Sequence, residues 1–172
     1  MTGAAWPLDA QDDMDDAALL ARYAVGDVRA ARVLTQRLTP KAFGHAFRVL
    51  GDSAEAEDVA QDAMLRLWKI APQWEAGRAQ VSTWLYRVVA NLCVDRLRRR
   101  GHHAPGLDQI AEPEDPSPDA PSQLQVRAQL DALGAALQQL PERQRQAVVL
   151  RHIEGLTNPE IAEILGIGVE AV

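Results

Sequence analysis

A polar stripe of arginine and asparagine side chains runs along the segment 83–100, with aromatic residues at its start. Arg87, Asn91 and Asp95 follow one another four residues apart, which places them on one face of a helix. Arginine binds phosphates, asparagine hydrogen-bonds to base edges, and aromatic rings stack on unpaired bases. The candidate nucleic-acid residues of this stripe are Trp84, Tyr86, Arg87, Asn91, Asp95, Arg96, Arg98 and Arg99. A solvated helix face above core aromatics would show the same pattern, so both interpretations stand.

A short capped helix and a glycine turn occur near the C-terminal end. Thr157 and Glu160 have the spacing of a capping box, with Pro159 in the first turn of the helix that follows. Apolar residues and Gly166 come next, as a helix-turn-helix requires. The candidate helix-turn-helix residues are Thr157, Glu160, Ile161, Ala162, Leu165 and Gly166. A plain helical hairpin also fits this pattern.

Composition predicts an all-α, globular, cytoplasmic protein. The 172 residues are 47% hydrophobic and 24% charged, Ala and Leu are abundant, and β-branched runs are scarce. No segment approaches the roughly 18 apolar residues of a membrane span, and the N-terminus is acidic, so we expect no membrane insertion. The single cysteine, Cys93, excludes an internal disulfide and is expected to be an inert packing residue.

The same composition argues against catalysis and against a metal site. The pair His102 and His103 is expected to lie in a linker, and no Cys/His cluster has the spacing of zinc ligands. Neither a catalytic triad nor a phosphate-binding loop is present in the sequence. We therefore expect no enzyme activity, no metal and no cofactor.

The net charge of −6 hides an uneven distribution. Residues 1–100 carry fourteen basic and thirteen acidic side chains, whereas residues 101–172 carry four basic and eleven acidic ones. The arginines at 96–100 form one sharp basic end between acidic runs, so a polyanion can bind there despite the total charge. The acidic run at 52–62 can be read as an ordinary solvated face or as a docking surface.

The chain divides into two predicted helical domains. The segment 101–122 has five prolines, five acids and no lysine or arginine, which predicts a linker between domains at 15–100 and 123–172. Such a linker lets the two domains lie far apart or fold together. In the first domain, periodicity predicts helices over 16–38 with a break at Gly26-Asp27, then over 40–50, 53–70 and 83–100. In the second domain it predicts helices over 123–140, 141–154 and 157–165, and the beginning of another.

Three motifs in this order resemble an extracytoplasmic-function (group 4) bacterial sigma factor. They are EAEDVAQDAMLRLWK (55–69), VSTWLYRVVANLCVDRLRRR (81–100) and LQQLPERQRQAVVLRHIEGLTNPEIAEILGI (137–167). The resemblance implies a sigma region 2-like bundle and a C-terminal region 4-like helix-turn-helix domain, joined by the Pro-rich acidic linker. It also implies a transcription initiation factor that binds core RNA polymerase, directs it to promoter DNA and is held by an anti-sigma factor.

The resemblance also implies roles for the two charged surfaces. The segment 71–81 and the stripe after it resemble the part that opens and reads the minus-ten element. The surface that resembles the docking site for the coiled coil of the largest polymerase subunit comprises Asp58, Gln61, Asp62, Leu65, Arg66 and Trp68. The chain stops at Val172, where the recognition helix for the minus-35 element would begin, so we expect that helix to be truncated.

A different class of function remains as the alternative. A sigma-like mimic would capture an anti-sigma factor without binding DNA. The retained polar stripe favours the initiation factor, because a mimic has no need of phosphate-binding arginines.

Overall fold

The computed structural model describes residues 14–75, 77, 79–102 and 121–172, and this part of the chain is helical, with no β-strand. Its seven α-helices are α1 (Asp16–Ala24), α2 (Val28–Leu50), α3 (Ser53–Ile70), α4 (Val81–His102), α5 (Pro121–Gln138), α6 (Glu142–Val148) and α7 (Asn158–Leu165). A 3₁₀ turn at Ala71–Gln73 follows α3, a π-helical turn at Val149–Ile153 follows α6, and a 3₁₀ turn at Val169–Ala171 follows α7. The predicted all-α class is confirmed. No helix in the described ranges is long and apolar enough to cross a membrane.

Local capping explains where the helices of the first unit begin. The Asp27 carboxylate accepts a hydrogen bond from the Arg29 amide at 3.0 Å at the start of α2. The Asp52 carboxylate accepts from the Glu55 amide at 2.9 Å at the start of α3. These side chains satisfy amides that have no partner within the helix. Gly51 ends α2 with a positive φ of 70°, a backbone conformation that favours glycine.

The sequence predicted one helix over 16–38, broken at Gly26-Asp27, and a second helix over 40–50. The predicted boundary between these two helices is wrong. The break at Gly26-Asp27 is present, but α2 then continues from Val28 to Leu50 through Pro40. Proline costs this helix the hydrogen bond to the carbonyl of Gln36, because proline has no N–H. The loss is tolerated because Leu34 and Leu38 before the proline and Ala42 after it are all fully buried on one side of the helix.

Helices α1 to α4 form a four-helix unit around one apolar core. The fully buried residues include Leu19, Leu34, Val59, Leu67 and Val89, one or more from each helix. Leu92 and Cys93 of α4 belong to this core, as the sequence predicted. Burial raises the pKa of the Cys93 thiol to about 12, so it is not ionised at neutral pH.

Helices α5 to α7 form a second unit that shares its core with the first. The predicted helix over 141–154 is present as α6 and the π-helical turn. Leu150, Ile161 and Ile164 are buried in one cluster with Tyr86 and Ala90, which belong to α4. Helix α4 therefore contributes to the apolar cores of both units. Most of the predicted linker, residues 103–120, lies outside the described ranges.

Candidate functional site

Four residues of the polar stripe predicted from the sequence are accessible on α4, and two of them, Asn91 and Arg98, line a cavity beside the second unit. Asn91, Asp95, Arg98 and Arg99 are exposed. Arg98 lies 4.0 Å from the Asp95 carboxylate one turn earlier. The stripe therefore combines an exposed amide with cations at the C-terminal end of a helix, where the helix dipole favours positive charge.

A cleft of about 410 Å³ opens at the head of α4. Trp84 of the stripe and Trp74 of the preceding turn lie edge to face in its wall, with their ring centroids 6.1 Å apart. The indole N–H of Trp74 is buried and has no hydrogen-bond partner among the described residues. Flat aromatic walls suit an unstacked base. Sequence reasoning missed Trp74, although its position in the loop before Trp84 could have indicated it.

Two predicted members of the stripe face the second unit in this structure. Tyr86 is 5% exposed, and its hydroxyl donates a hydrogen bond of 2.5 Å to the Glu154 carboxylate. Burial and this hydrogen bond raise the pKa of Tyr86. The Arg87 guanidinium donates to the Glu163 carboxylate at 2.7 Å and to its carbonyl at 3.1 Å. The sequence did not indicate these contacts, because residues 68 and 76 positions apart meet only in the folded chain.

The predicted docking surface on α3 lies on one side of that helix. Asp58, Gln61, Asp62 and Arg66 are exposed. Leu65, which stands among them, is 50% exposed, a large fraction for a leucine. Helical spacing therefore brings five of the six predicted residues together on one accessible face.

An apolar groove of about 910 Å³ runs beside this face, between α2 and α3. Pro40 and Phe43 of α2 and Met64, Leu65 and Trp68 of α3 line it. The sixth predicted residue, Trp68, is only partly buried in the core, where its ring meets that of Tyr23 at a centroid distance of 4.6 Å. A groove of this kind, edged by charged side chains, has the character of a protein-binding surface.

The acidic start of α3 also holds the basic end of α4. Arg96 lies 3.4 Å from the Asp58 carboxylate. Arg100 lies 2.9 Å from Glu55 and 3.6 Å from Asp52, and it also donates to the Leu50 carbonyl at 3.2 Å. The acidic run is thus neither a merely solvated face nor only a docking surface. It fixes the direction in which the arginine end of α4 points.

The predicted helix-turn-helix residues lie in α7 and at its two ends. The Glu160 carboxylate accepts hydrogen bonds from the Thr157 amide at 2.8 Å and the Thr157 hydroxyl at 2.7 Å, which lower the pKa of Glu160. Ile161 and Ala162 are buried. Gly166 ends α7 with a φ of 63° in the left-handed region. Leu165 is partly buried at the end of α7.

Comparisons with known proteins agree with this architecture. The family model "Sigma-70 region 2" matches residues 34–103, and the model "Sigma-70, region 4" matches residues 130–172. The RNA polymerase sigma-H factor of Pseudomonas aeruginosa is 31% identical over 159 residues, which cover 87% of this chain and 82% of that protein. The ECF RNA polymerase sigma factor SigM of Mycobacterium tuberculosis is 36% identical over 155 residues, which cover 90% of this chain and 76% of that protein.

A solved structure gives the same result for the fold. CnrH, in its complex with the cytosolic domain of CnrY, matches with a TM-score of 0.63 at 26% identity, over 91% of this chain and 86% of that chain. Two family models in the expected order, and relatives matched over most of their length, leave one assignment. The chain belongs to the extracytoplasmic-function RNA polymerase sigma factors of the sigma-70 family.

Proposed function

We propose that this sigma factor binds core RNA polymerase through α3 and opens the minus-ten element of its promoters with α4. The observation that carries the proposal is the adjacency of two unlike surfaces. The exposed face of α3 with its apolar groove lies beside the polar stripe of α4, and the Arg96–Asp58 pair joins them. One rigid bundle can thus hold polymerase on one face and promoter DNA on the next.

The docking surface would use Leu65 as its apolar anchor. A half-exposed leucine beside a groove gains free energy from burial in an interface, because half of its surface is still in contact with water. Asp58, Gln61, Asp62 and Arg66 would form the polar rim around it. Trp68 would contribute by holding the wall of the groove in place.

The minus-ten surface would divide its work between phosphates and bases. Arg98 and Arg99 lie on the exposed end of α4 and would hold backbone phosphates, which positions the strand without reading its sequence. Asn91 and the cleft of Trp74 and Trp84 would receive unstacked bases. Extruding a base costs a few kcal/mol, which such a cleft can offset.

A protein inhibitor is part of the proposal. CnrH is seen in complex with a second protein, the cytosolic domain of CnrY. In this chain the groove of Leu65 and Trp68 offers an apolar anchor to an anti-sigma factor, which would then exclude polymerase from the same site. Pull-downs from the native host should recover a small inhibitory protein as well as polymerase, and recovery of polymerase alone would contradict this part.

Transcription in vitro tests the proposed function. Core polymerase and the full chain are incubated with a library of promoter fragments, and the transcripts are sequenced. Core polymerase alone is the control. We expect defined start sites that appear only when the chain is added. If the chain captures an anti-sigma factor but yields no start site with any fragment, the mimic is the correct function and the initiation factor is not.

A further inference from the structure

The basic end of α4 has two sides, and their arginines differ in what they contact. Arg96 and Arg100 are four residues apart, so they lie on one face of the helix, and this face is turned toward the acidic start of α3. Arg98 and Arg99 are exposed and are proposed to hold phosphates. The two faces of the basic end therefore have different surroundings.

Arg100, near the end of α4, contacts the end of α2 and the start of α3. Its guanidinium forms a bidentate pair with Glu55, in which Nε donates to Oε1 at 3.0 Å and a terminal nitrogen lies 2.9 Å from Oε2. It donates at 3.2 Å to the carbonyl of Leu50, the last residue of α2. It also lies 3.6 Å from the carboxylate of Asp52, which caps α3. We name these four residues the three-helix junction.

The three-helix junction is a stronger attachment than an isolated surface ion pair, which contributes little. Bidentate arginine–carboxylate pairs are stronger because two charge-assisted hydrogen bonds share one fixed geometry. Only 29% of the Glu55 side chain and 30% of the Asp52 side chain are exposed, so water screens these charges less than those of a fully exposed pair. The Leu50 carbonyl, at a helix end, has no acceptor role within its own helix and gains a partner here.

The contacts of Arg100 limit what else this side chain can bind. All three of its nitrogens are engaged by the protein, so binding of a phosphate would require the junction to break. The last turn of a helix frays easily, because its final four carbonyls lack helical partners and local opening costs little free energy. Arg98 and Arg99 lie close to the end of α4 at His102. An attachment at Arg100 therefore holds the backbone that carries both of them.

We infer that Arg100 is a positioning residue for the minus-ten surface, which binds no phosphate itself but holds the end of α4 so that Arg98 and Arg99 meet the DNA backbone. The inference rests on the proposed role of α4. Side chains that are already in place bind at a lower cost in conformational entropy. The acidic side chains of the junction therefore favour DNA binding, although their charge repels DNA.

Neutralising the acceptors tests the inference, because a positioning residue and a phosphate contact predict opposite results. The junction variant is Asp52→Asn/Glu55→Gln, which keeps the side-chain sizes and leaves a good N-cap residue on α3. The matched control is Asp131→Asn/Glu170→Gln, which loses the same charge at exposed positions of the second unit. The complex of core polymerase with each chain, and with Arg100→Gln, binds a fluorescent promoter fragment whose minus-ten element is already unpaired. The affinity is measured at several salt concentrations.

We expect the junction variant to bind the fragment about tenfold more weakly than the original chain, although it has lost two negative charges. Arg100→Gln should be weakened to the same extent and should keep the salt dependence of the original chain. Adding Arg100→Gln to the junction variant should bring no further loss, because both changes remove the same contacts. The control should stay within about twofold of the original chain, since distant charges act only through screened interactions.

Tighter binding by the junction variant than by the control would show that the released Arg100 contacts a phosphate, and this result would overturn the inference. A salt dependence reduced by about one counterion in Arg100→Gln has the same meaning. Unchanged affinity in both variants also overturns the inference.

Arg100→Lys keeps the charge of the side chain and removes its bidentate geometry. Lysine binds phosphate as a point charge but cannot form the fork of the junction, so Arg100→Lys should remain weakened. Full affinity of Arg100→Lys would contradict the positioning role. Circular dichroism and binding to core polymerase are measured for every chain and should not change. Arg98→Ala in the same assay tests the proposed function separately, because an unchanged salt dependence there would remove the phosphate role of Arg98.

Discussion

His45 is a residue whose burial should make the stability of the whole protein depend on pH. Its side chain is fully buried, neither ring nitrogen has a hydrogen-bond partner among the described residues, and the Tyr86 ring lies 5.7 Å away. Burial and the nearby Arg48 lower the pKa of His45 from 6.5 to about 3. Below pH 6.5 the unfolded chain therefore binds a proton at His45, whereas the folded chain binds it only near pH 3.

The free energy of unfolding should fall as the pH falls through this window, by up to about 1.4 kcal/mol per pH unit from this residue. Above pH 6.5 both states are neutral at His45, so the dependence disappears. Urea denaturation between pH 7 and pH 4 measures it, with His45→Leu as the variant that cannot titrate. Identical pH dependence in the two proteins would show that His45 is not the titrating group.

Leu65 is the residue that best separates binding from folding on α3. It is half exposed, so Leu65→Asp should change the free energy of unfolding by no more than about 0.5 kcal/mol. Because we propose Leu65 as the apolar anchor of the docking surface, Leu65→Asp should weaken binding to core polymerase by at least about tenfold. Val25, which is 86% exposed on the loop after α1, provides the control variant Val25→Asp. Equal affinities of the two variants for polymerase would remove Leu65 from the docking surface.

At the scale of elements, Pro40 lowers the stability of α2 without breaking the helix. Proline at this exposed position leaves the Gln36 carbonyl without its helical partner. Pro40→Ala should therefore raise the free energy of unfolding by about 1–2 kcal/mol. Pro72, in the first turn of a 3₁₀ segment where proline fits, is the control, and Pro72→Ala should bring no gain. Thermal denaturation of both variants measures the change, and a loss of stability in Pro40→Ala would show that packing of the proline ring in the groove outweighs the missing hydrogen bond.

The helices were predictable from the sequence wherever a single local rule decides them. The span of α3 from residue 53 to residue 70 was predicted correctly, because acids at its start and a proline after its end mark both boundaries. The continuity of α2 was not predictable, since the local penalty of Pro40 is outweighed by burial of Leu34 and Ala42 against other helices. The local effect of Pro40 predicts a break in the helix, but packing against other helices keeps α2 continuous.

At the scale of the whole molecule, the sequence showed the two surfaces but not their relation. Helical spacing was sufficient to group Asp58, Leu65 and Arg66 on one face of α3. It could not show that Glu163 reaches Arg87 across 76 residues, because that contact depends on how the two units pack. The linker composition allowed both separated and folded-together arrangements, and the structure has the folded-together one.

The division of labour that we propose for α4 is to be tested in the whole complex with polymerase and promoter. Because we propose that Arg98 holds a backbone phosphate, Arg98→Ala should weaken opening of all promoters alike and reduce the salt dependence by about one counterion. Leu92→Ala should lower stability by about 2–5 kcal/mol before it affects recognition, because Leu92 lies in the core. Asn91 is exposed, so Asn91→Ala should leave the fold intact and change only which base of the minus-ten element is preferred.

The most direct test is promoter opening by the polymerase complex on a panel of minus-ten variants, with Asn91→Ala compared with the original chain. A lost base contact costs roughly 1–3 kcal/mol at one position of the element. We therefore expect Asn91→Ala to change the ranking of the panel, with discrimination lost at one base, while Arg98→Ala keeps the ranking. A uniform loss of opening across the panel by Asn91→Ala, with the fold intact by circular dichroism, would contradict the reading of the minus-ten element by this face of α4.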